Sequence, residues 1–167
     1  GQFASASPMS STISGNASAG LSVILGSVWV GHAVVSGSEV GIALNNGSAS
    51  GTAGQMSVSG CTVGVSMVND SVMTGNITAS GNQTGISAED SSIAISNSTL
   101  TGNTDKDVWI RFGTRLSAKA TTAGTVLCDG TVLVRGTIAC PATASGILRS
   151  TLGSGGTPPR LDPFVID

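Results

Sequence analysis

The sequence contains few aromatic and charged residues, and these shortages exclude several classes of protein. Tyrosine is absent, His32 is the single histidine, aromatic residues make up 3% and charged residues 10% of 167 residues. With so few histidines and cysteines, no pattern predicts a zinc site. A net charge of −2 and scattered basic residues argue against nucleic acid, which requires a basic stripe. We therefore expect no cofactor, no metal site and no nucleic-acid partner.

Long apolar runs are missing as well. The longest of them, such as 21–25 and 126–128, are far too short to span a bilayer, so we expect no membrane insertion. The first residues lack the charged start and apolar centre of a cleavable signal segment. Gly1 at the start indicates a piece of a longer protein.

Cysteine is scarce, and its count is odd. Cys61 lies among the repeats described below, whereas Cys128 and Cys140 lie near the C-terminus. We expect small buried thiols in a reducing compartment. A bridge between Cys128 and Cys140 is the alternative, and the sequence leaves both interpretations open.

The abundant residues are glycine, serine, threonine and small or β-branched apolar residues, which together predict an ordered all-β protein. A Ser/Thr-Gly step recurs every 21 to 23 residues, and three short alternating strands follow the steps, except that residues 48–54 are too uniformly small to assign. This pattern predicts a right-handed parallel β-helix, a solenoid with three short strands per coil and about 4.8 Å between coils. One inward-facing column should contain Leu21, Ile42, Val65, Ile86 and Val108.

The predicted corners of the coils also carry repeated residue types. The step glycines should adopt a positive φ at one corner: Gly15, Gly37, Gly60, Gly81 and Gly102. The next residue in each coil is asparagine or small: Asn16, Ser38, Cys61, Asn82 and Asn103. A second corner carries Asn45/Asn46, Asn69/Asp70 and Glu89/Asp90. Because asparagine and aspartate tolerate left-handed backbone, a structural role explains these rows.

The periodicity changes after Arg111. A Gly-Thr step recurs every six residues from Gly124, which predicts either a narrower coil or a small sheet. We therefore divide the chain into β-helix coils (1–112), a short-strand β cap or trimerisation region (113–152) and an extended, proline-containing tail (153–167). Assembly is favoured over a monomeric end cap, since a solenoid end with an extended tail has little core of its own.

The coils from Ser14 to Ile110 resemble the pectate-lyase-like right-handed β-helices in their short strands and asparagine-rich corners. With the closing segment from Asp107 to Leu116, they most resemble the C-terminal part of bacteriophage tailspikes. The resemblance implies a homotrimer in the virion that attaches to bacterial cell-surface polysaccharide, such as O-antigen or capsule, and in many members cleaves it. Two alternatives are a β-helical polysaccharide hydrolase or lyase, and a bacterial surface adhesin or autotransporter passenger, at the cell surface or secreted.

The candidate site residues follow from the same repeat. Asp70 and either Glu89 or Asp90 occupy matching corners of neighbouring coils, where two carboxylates about 5 to 9.5 Å apart would suit glycoside hydrolysis. The favoured interpretation is that all three are turn residues, with any catalytic residues upstream of this piece. Trp29 and Trp109 are expected to pack, and either one, if exposed, is the best candidate for stacking on a sugar.

Overall fold

The computed structural model describes residues 10–29 and 32–141, with the side chains of all but 10, 27–29 and 50–55. These residues form strands joined by turns, without a helix. The strands are β1 (Ser10–Ser14), β2 (Ala19–Ile24), β3 (Ser27–Trp29), β4 (His32–Ser36), β5 (Val40–Asn45), β6 (Ser48–Ser59), β7 (Val63–Val68), β8 (Val72–Ser80), β9 (Thr84–Glu89), β10 (Ser92–Ser96), β11 (Thr99–Leu100), β12 (Lys106–Arg111), β13 (Arg115–Lys119), β14 (Thr122–Ala123), β15 (Val126–Cys128) and β16 (Leu133–Gly136).

The strands form two parallel sheets that wind as a solenoid of about five turns. The first sheet has the order β15-β12-β9-β7-β5-β2. The second has the main order β1-β4-β6-β8-β10-β13-β16, with β3, β11 and β14 beside it. This architecture matches a right-handed parallel β-helix, so the predicted fold class is confirmed.

The second and third strands of a coil are continuous in the middle of the solenoid. β6 and β8 each pass through both positions, whereas β10 and β11 remain separate. The sequence pattern was too uniform to assign 48–54, which the structure places in β6. A register shift lies between Gly51 and Gln55, opposite the single step from Gly75 to Asn76 in β8. Such an irregularity lets a strand bend and continue around the coil.

Residues one repeat apart lie directly opposite each other. The register pairs Leu21 with Ile42, Ile42 with Val65, and continues in the same way. The predicted aliphatic column is therefore confirmed, and Val126 extends it by one layer beyond Val108. From Ile42 to Val108 its side chains are fully or almost fully buried. The narrow interior holds aliphatic side chains and methionines, while both aromatic side chains of the described part, Trp109 and Phe112, lie outside it.

The corners have the predicted backbone conformations. The five step glycines have φ values between 64° and 74°. At the second corner, Asn46, Asn69, Asp70 and Asp90 have φ values between 42° and 56°. These values lie in the left-handed region, which asparagine and aspartate adopt more readily than other side chains. The step glycines and the asparagine and aspartate residues of the second corner thus follow from the turns they make. The left-handed explanation is wrong for Asn82 and Asn103, which follow the step glycines without a positive φ.

The parallel ladders continue beyond residue 112. β13 pairs with β10, β15 pairs with β12, and β16 pairs with β13. Val126 follows its partner Val108 by only 18 residues, so the last coil is the narrower coil that the Gly-Thr spacing allowed. The segment 113–152 therefore contains further coil strands up to Gly136. The tail at 153–167 lies outside the described residues.

The last coil is closed by a disulfide between Cys128 and Cys140, whose Cα atoms are 5.7 Å apart. The preferred expectation of three free thiols is therefore wrong for this pair. The chain after β16 returns beside β15, and this return brings together two cysteines that are 12 residues apart. Cys61 is free and buried, as expected.

Candidate functional site

The structure brings the three predicted carboxylates to one corner, between the first and second sheets. The backbone N–H of Asp70 donates to the carbonyl oxygen of Asp90 at 2.7 Å, so the two residues lie on adjacent coils. Both side chains are exposed, and no hydrogen bond or ion pair engages either carboxylate within the described part of the chain. The arrangement leaves two unpaired carboxylates one coil apart. Their catalytic role stays a prediction, beside the turn role that their φ values support.

Glu89 differs from its two neighbours, because its carboxylate accepts a hydrogen bond from Arg111 on the next coil. Both side chains of this ion pair are about one-third exposed or less. The register places Arg111 directly opposite Glu89, so the pair follows from the stacking of β9 and β12. Arg111 thus gives Glu89 a structural partner, whereas Asp70 and Asp90 have no side-chain partner among the described residues.

Trp109 lies on the outward side of β12 and is half-buried. The guanidinium of Arg111 is 3.8 Å from the centre of its ring, and the ammonium of Lys106 is 5.0 Å away. Phe112 is 58% exposed and lies 5.5 Å from the same guanidinium. Because cations already contact the Trp109 ring, a sugar would share or displace a cation–π contact to stack there.

The other predicted tryptophan, Trp29, ends strand β3, which pairs with β6. Its side chain lies outside what the structure describes. The sugar-binding role of both tryptophans stays a prediction.

The sequence did not predict two depressions, one on the outer face of the second sheet and one at the corner that precedes this sheet. The two depressions adjoin at Val72, with volumes of about 320 and 400 Å³. We call them together the axial groove. Its outward-facing lining comes from six stacked layers: Leu25, Asn46, Asp70 and Val72, Ser92 and Ala94, Arg115 and Ser117, Leu133 and Arg135.

Short side chains create the deeper half of the axial groove. Ser92 and Ala94 point outward from β10, and Ser117 lies opposite Ala94 on β13. Along the axis, Val72 separates this floor from the other depression, and Leu133 with Arg135 lie at its far end. In the sequence these short side chains occupy outward positions of alternating strands. No repeated residue type marks those positions as a site.

A buried polar column supports the corner of the step glycines, which precedes the strands of the first sheet. The side chain of Asn82 accepts from the N–H of Cys61 and donates to the carbonyl oxygen of Val58. One coil further on, the side-chain amide of Asn103 donates to the carbonyl oxygen of Ala79. It also donates to the carboxylate of Asp107 at 2.7 Å. The slot predicted from the step glycines is therefore an inward-facing hydrogen-bonding ladder, and Asp107 ends it.

Asp107 is buried, with 4% of its surface exposed. Burial alone would raise the pKa of its carboxyl group, but hydrogen bonds from Asn103 and from the N–H groups of Thr125 and Gly124 outweigh it and lower the pKa. The carboxylate thus ties β12 to the start of the last coil. Asp107 is therefore a structural anchor, and no motif in the sequence marks it as one.

Across residues 10–29 and 32–141, no group of three or more histidine, cysteine, aspartate or glutamate residues is placed to hold a metal ion. In the same ranges, no helix has the length and apolar character required to cross a membrane.

No family model matches this chain, and neither a curated protein nor a solved structure matches it. The fold therefore defines the class of the protein, which is a parallel β-helix.

Proposed function

We propose that this chain is an attachment module that binds cell-surface polysaccharide in the axial groove. The observation that carries the proposal is the direction of the groove, whose lining crosses six stacked layers of the solenoid. Five intervals of about 4.8 Å give a length of roughly 24 Å. Two shallow depressions in a row, with serine hydroxyls and small apolar side chains, suit an extended glycan better than a compact small molecule.

The finer form of the proposal is the C-terminal module of a bacteriophage tailspike, assembled as a homotrimer in the virion. The resemblance of the coils from Ser14 to Ile110 supports it, together with the parallel β-helix itself. The disulfide between Cys128 and Cys140 is consistent with a protein that works outside the reducing cytoplasm, on a virion or a cell surface.

A second candidate function is hydrolysis of the bound polysaccharide, and one observation favours it. Asp70 lines the axial groove and stands one coil from Asp90, with both carboxylates unpaired within the described residues. Two carboxylates beside a glycan groove are the groups that glycoside hydrolysis requires. The double variant Asp70→Asn/Asp90→Asn would lose depolymerisation but keep binding, if these residues are catalytic.

The binding proposal is tested by filling the groove. Ala94 is exposed at its centre, so Ala94→Trp should block the floor and weaken binding to polysaccharide-bearing bacterial cells by roughly tenfold or more. The matched control is Ala43→Trp, at an outward position of β5 in the first sheet. Binding is measured by flow cytometry with labelled protein, after thermal unfolding shows that both variants fold. Equal binding by both variants and the unmodified chain would contradict the proposal.

A further inference from the structure

We propose that the C-terminal end of the axial groove selects acidic polysaccharide through three exposed cations, Arg115, Lys119 and Arg135, here called the basic cluster. The inference rests on the proposed function and adds the chemical class of the glycan. The ligand we infer is a polysaccharide that carries carboxylate groups.

The strand register gathers the basic cluster. Arg115 and Lys119 point outward from β13, with Ser117 between them. On the neighbouring strand β16, Arg135 lies directly opposite Ser117. It is therefore offset by two residues and one strand from each cation of β13, which corresponds to Cα separations of about 8 Å. Three positive charges thus surround one serine hydroxyl at the end of the groove.

Within residues 32–141, no carboxylate neutralises this cluster on its own face. The outward residues beside it on β8 and β10 are uncharged: Val72, Thr74, Ser92, Ala94 and Ser96. The ion pairs of the described residues join Lys106 to Asp105 and Arg111 to Glu89, and neither includes a member of the cluster. An uncompensated group of cations on a chain of net charge −2 attracts an anion locally.

The surroundings of the cluster favour an acidic glycan among possible anions. Guanidinium groups bind carboxylates through two parallel hydrogen bonds. The hydroxyls of Ser92 and Ser117 offer partners for sugar hydroxyls, and Leu133 offers an apolar contact for the C–H face of a sugar ring. The lining of this half of the groove has no aromatic side chain on which a nucleobase would stack.

The test measures binding of the full chain to size-defined carboxylate polymers, namely oligogalacturonate, hyaluronate and polysialate oligomers, by isothermal titration calorimetry. Methyl-esterified oligogalacturonate is the uncharged counterpart of the first. We expect at least one acidic oligomer to bind, and to bind roughly tenfold more tightly than an uncharged glycan at low salt. Added salt should reduce this preference.

The variants Arg115→Gln and Arg135→Gln should each weaken acidic binding about threefold, and together about tenfold. Ser117→Glu, which places a carboxylate inside the cluster, should weaken it at least as much. Lys106→Gln removes a cation from the first sheet and should leave binding unchanged. All four positions are on the surface, and thermal unfolding checks that each variant is folded.

Three results would overturn the inference: no binding to any acidic oligomer, unchanged affinity in the double variant, or equally tight binding of sulfated heparin oligomers, which indicates general attraction of polyanions. Its failure differs from failure of the proposed function. If Ala94→Trp abolishes cell binding but Arg115→Gln/Arg135→Gln leaves it unchanged, the groove binds glycan and the inferred preference for acidic glycans is wrong. If Ala94→Trp also leaves cell binding unchanged, the groove itself is not the site.

Discussion

At the scale of single residues, the corner of the step glycines combines glycine, asparagine and aspartate at positions that are equivalent or adjacent in successive coils. A Cβ built on Gly85 would lie 2.7 Å from the side-chain nitrogen of Asn103 and 2.5 Å from the carbonyl oxygen of Asp107. The absence of a side chain at Gly85 therefore provides the space that the Asn103 side chain occupies. One coil later the same position is Asp107, whose carboxylate replaces the asparagine amide as the acceptor. Its charge is held by N–H donors of the last coil, which makes stability depend on pH.

We predict that Asp107→Asn makes the protein less sensitive to acid. The pKa of Asp107 is lower in the folded than in the unfolded state, because its hydrogen bonds outweigh its burial. Its stabilising contribution is therefore complete above the unfolded pKa of about 3.9, and it is lost as the pH falls through the folded pKa. At neutral pH the variant should be less stable by about 1 to 3 kcal/mol.

Urea unfolding at a series of pH values between neutral and acid measures this difference. Asp105→Asn, at the neighbouring exposed carboxylate, is the matched control and should follow the unmodified protein. Although burial opposes the shift, hydrogen bonds also lower the pKa of Asp129. Because Asp129 is unchanged in Asp107→Asn, the variant should keep part of the acid sensitivity. Parallel stability curves for Asp107→Asn and the unmodified chain would contradict an anchoring role for this carboxylate.

At the scale of elements, alternation of apolar and polar residues was sufficient to predict most strands of the first sheet. β5, β7 and β9 each place their inward residues in the predicted column. Strand β6 could not be predicted from alternation, because the residues at 48–54 are uniformly small. Its pairing with β4 and β8, on either side, defines this strand, and such long-range pairing is not written in a local pattern.

The narrow last coil depends on its covalent closure. We predict that Cys128→Ser/Cys140→Ser lowers the free energy of unfolding by about 2 to 3 kcal/mol, since the disulfide closes a short loop. The effect should be local, because β13 is the one partner of β16 among the described strands. Hydrogen exchange followed by mass spectrometry should therefore show that the double variant exchanges faster than the unmodified chain in β15 and β16. Exchange in β7 and β9 should be the same in both proteins.

The matched comparison for the disulfide variant is Cys61→Ser, which changes the buried free thiol and leaves the bridge intact. It should not accelerate exchange selectively in the last coil. Unchanged protection of β15 and β16 in the double variant would show that strand pairing alone holds this coil.

At the scale of the whole molecule, a solenoid ends in layers whose strands have a partner on one side only, and such edges favour assembly. Exposed apolar side chains occur near both ends of the described part: Ile24 and Leu25 in the first layers, with Phe112 and Leu127 in the last ones. These features support the proposed homotrimer.

We predict that the full chain is trimeric at micromolar concentration. Size-exclusion chromatography with multi-angle light scattering should give three times the mass of one chain, without dissociation on dilution through the micromolar range. A mass equal to one chain at every concentration would refute the homotrimer while leaving the glycan-binding proposal to its own test.

The sequence by itself determined the parallel β-helix, its repeat length and the residue types of its corners. Each coil places equivalent residues in equivalent surroundings, so the requirements of the fold recur along the chain and become readable as a pattern. Only the tertiary structure decided the axial groove, the ion pair of Glu89 with Arg111, and the bridge between Cys128 and Cys140. The ion pair and the bridge each depend on one contact between particular side chains, and a contact that occurs once leaves no periodic signal. The groove depends on outward side chains that differ from one coil to the next.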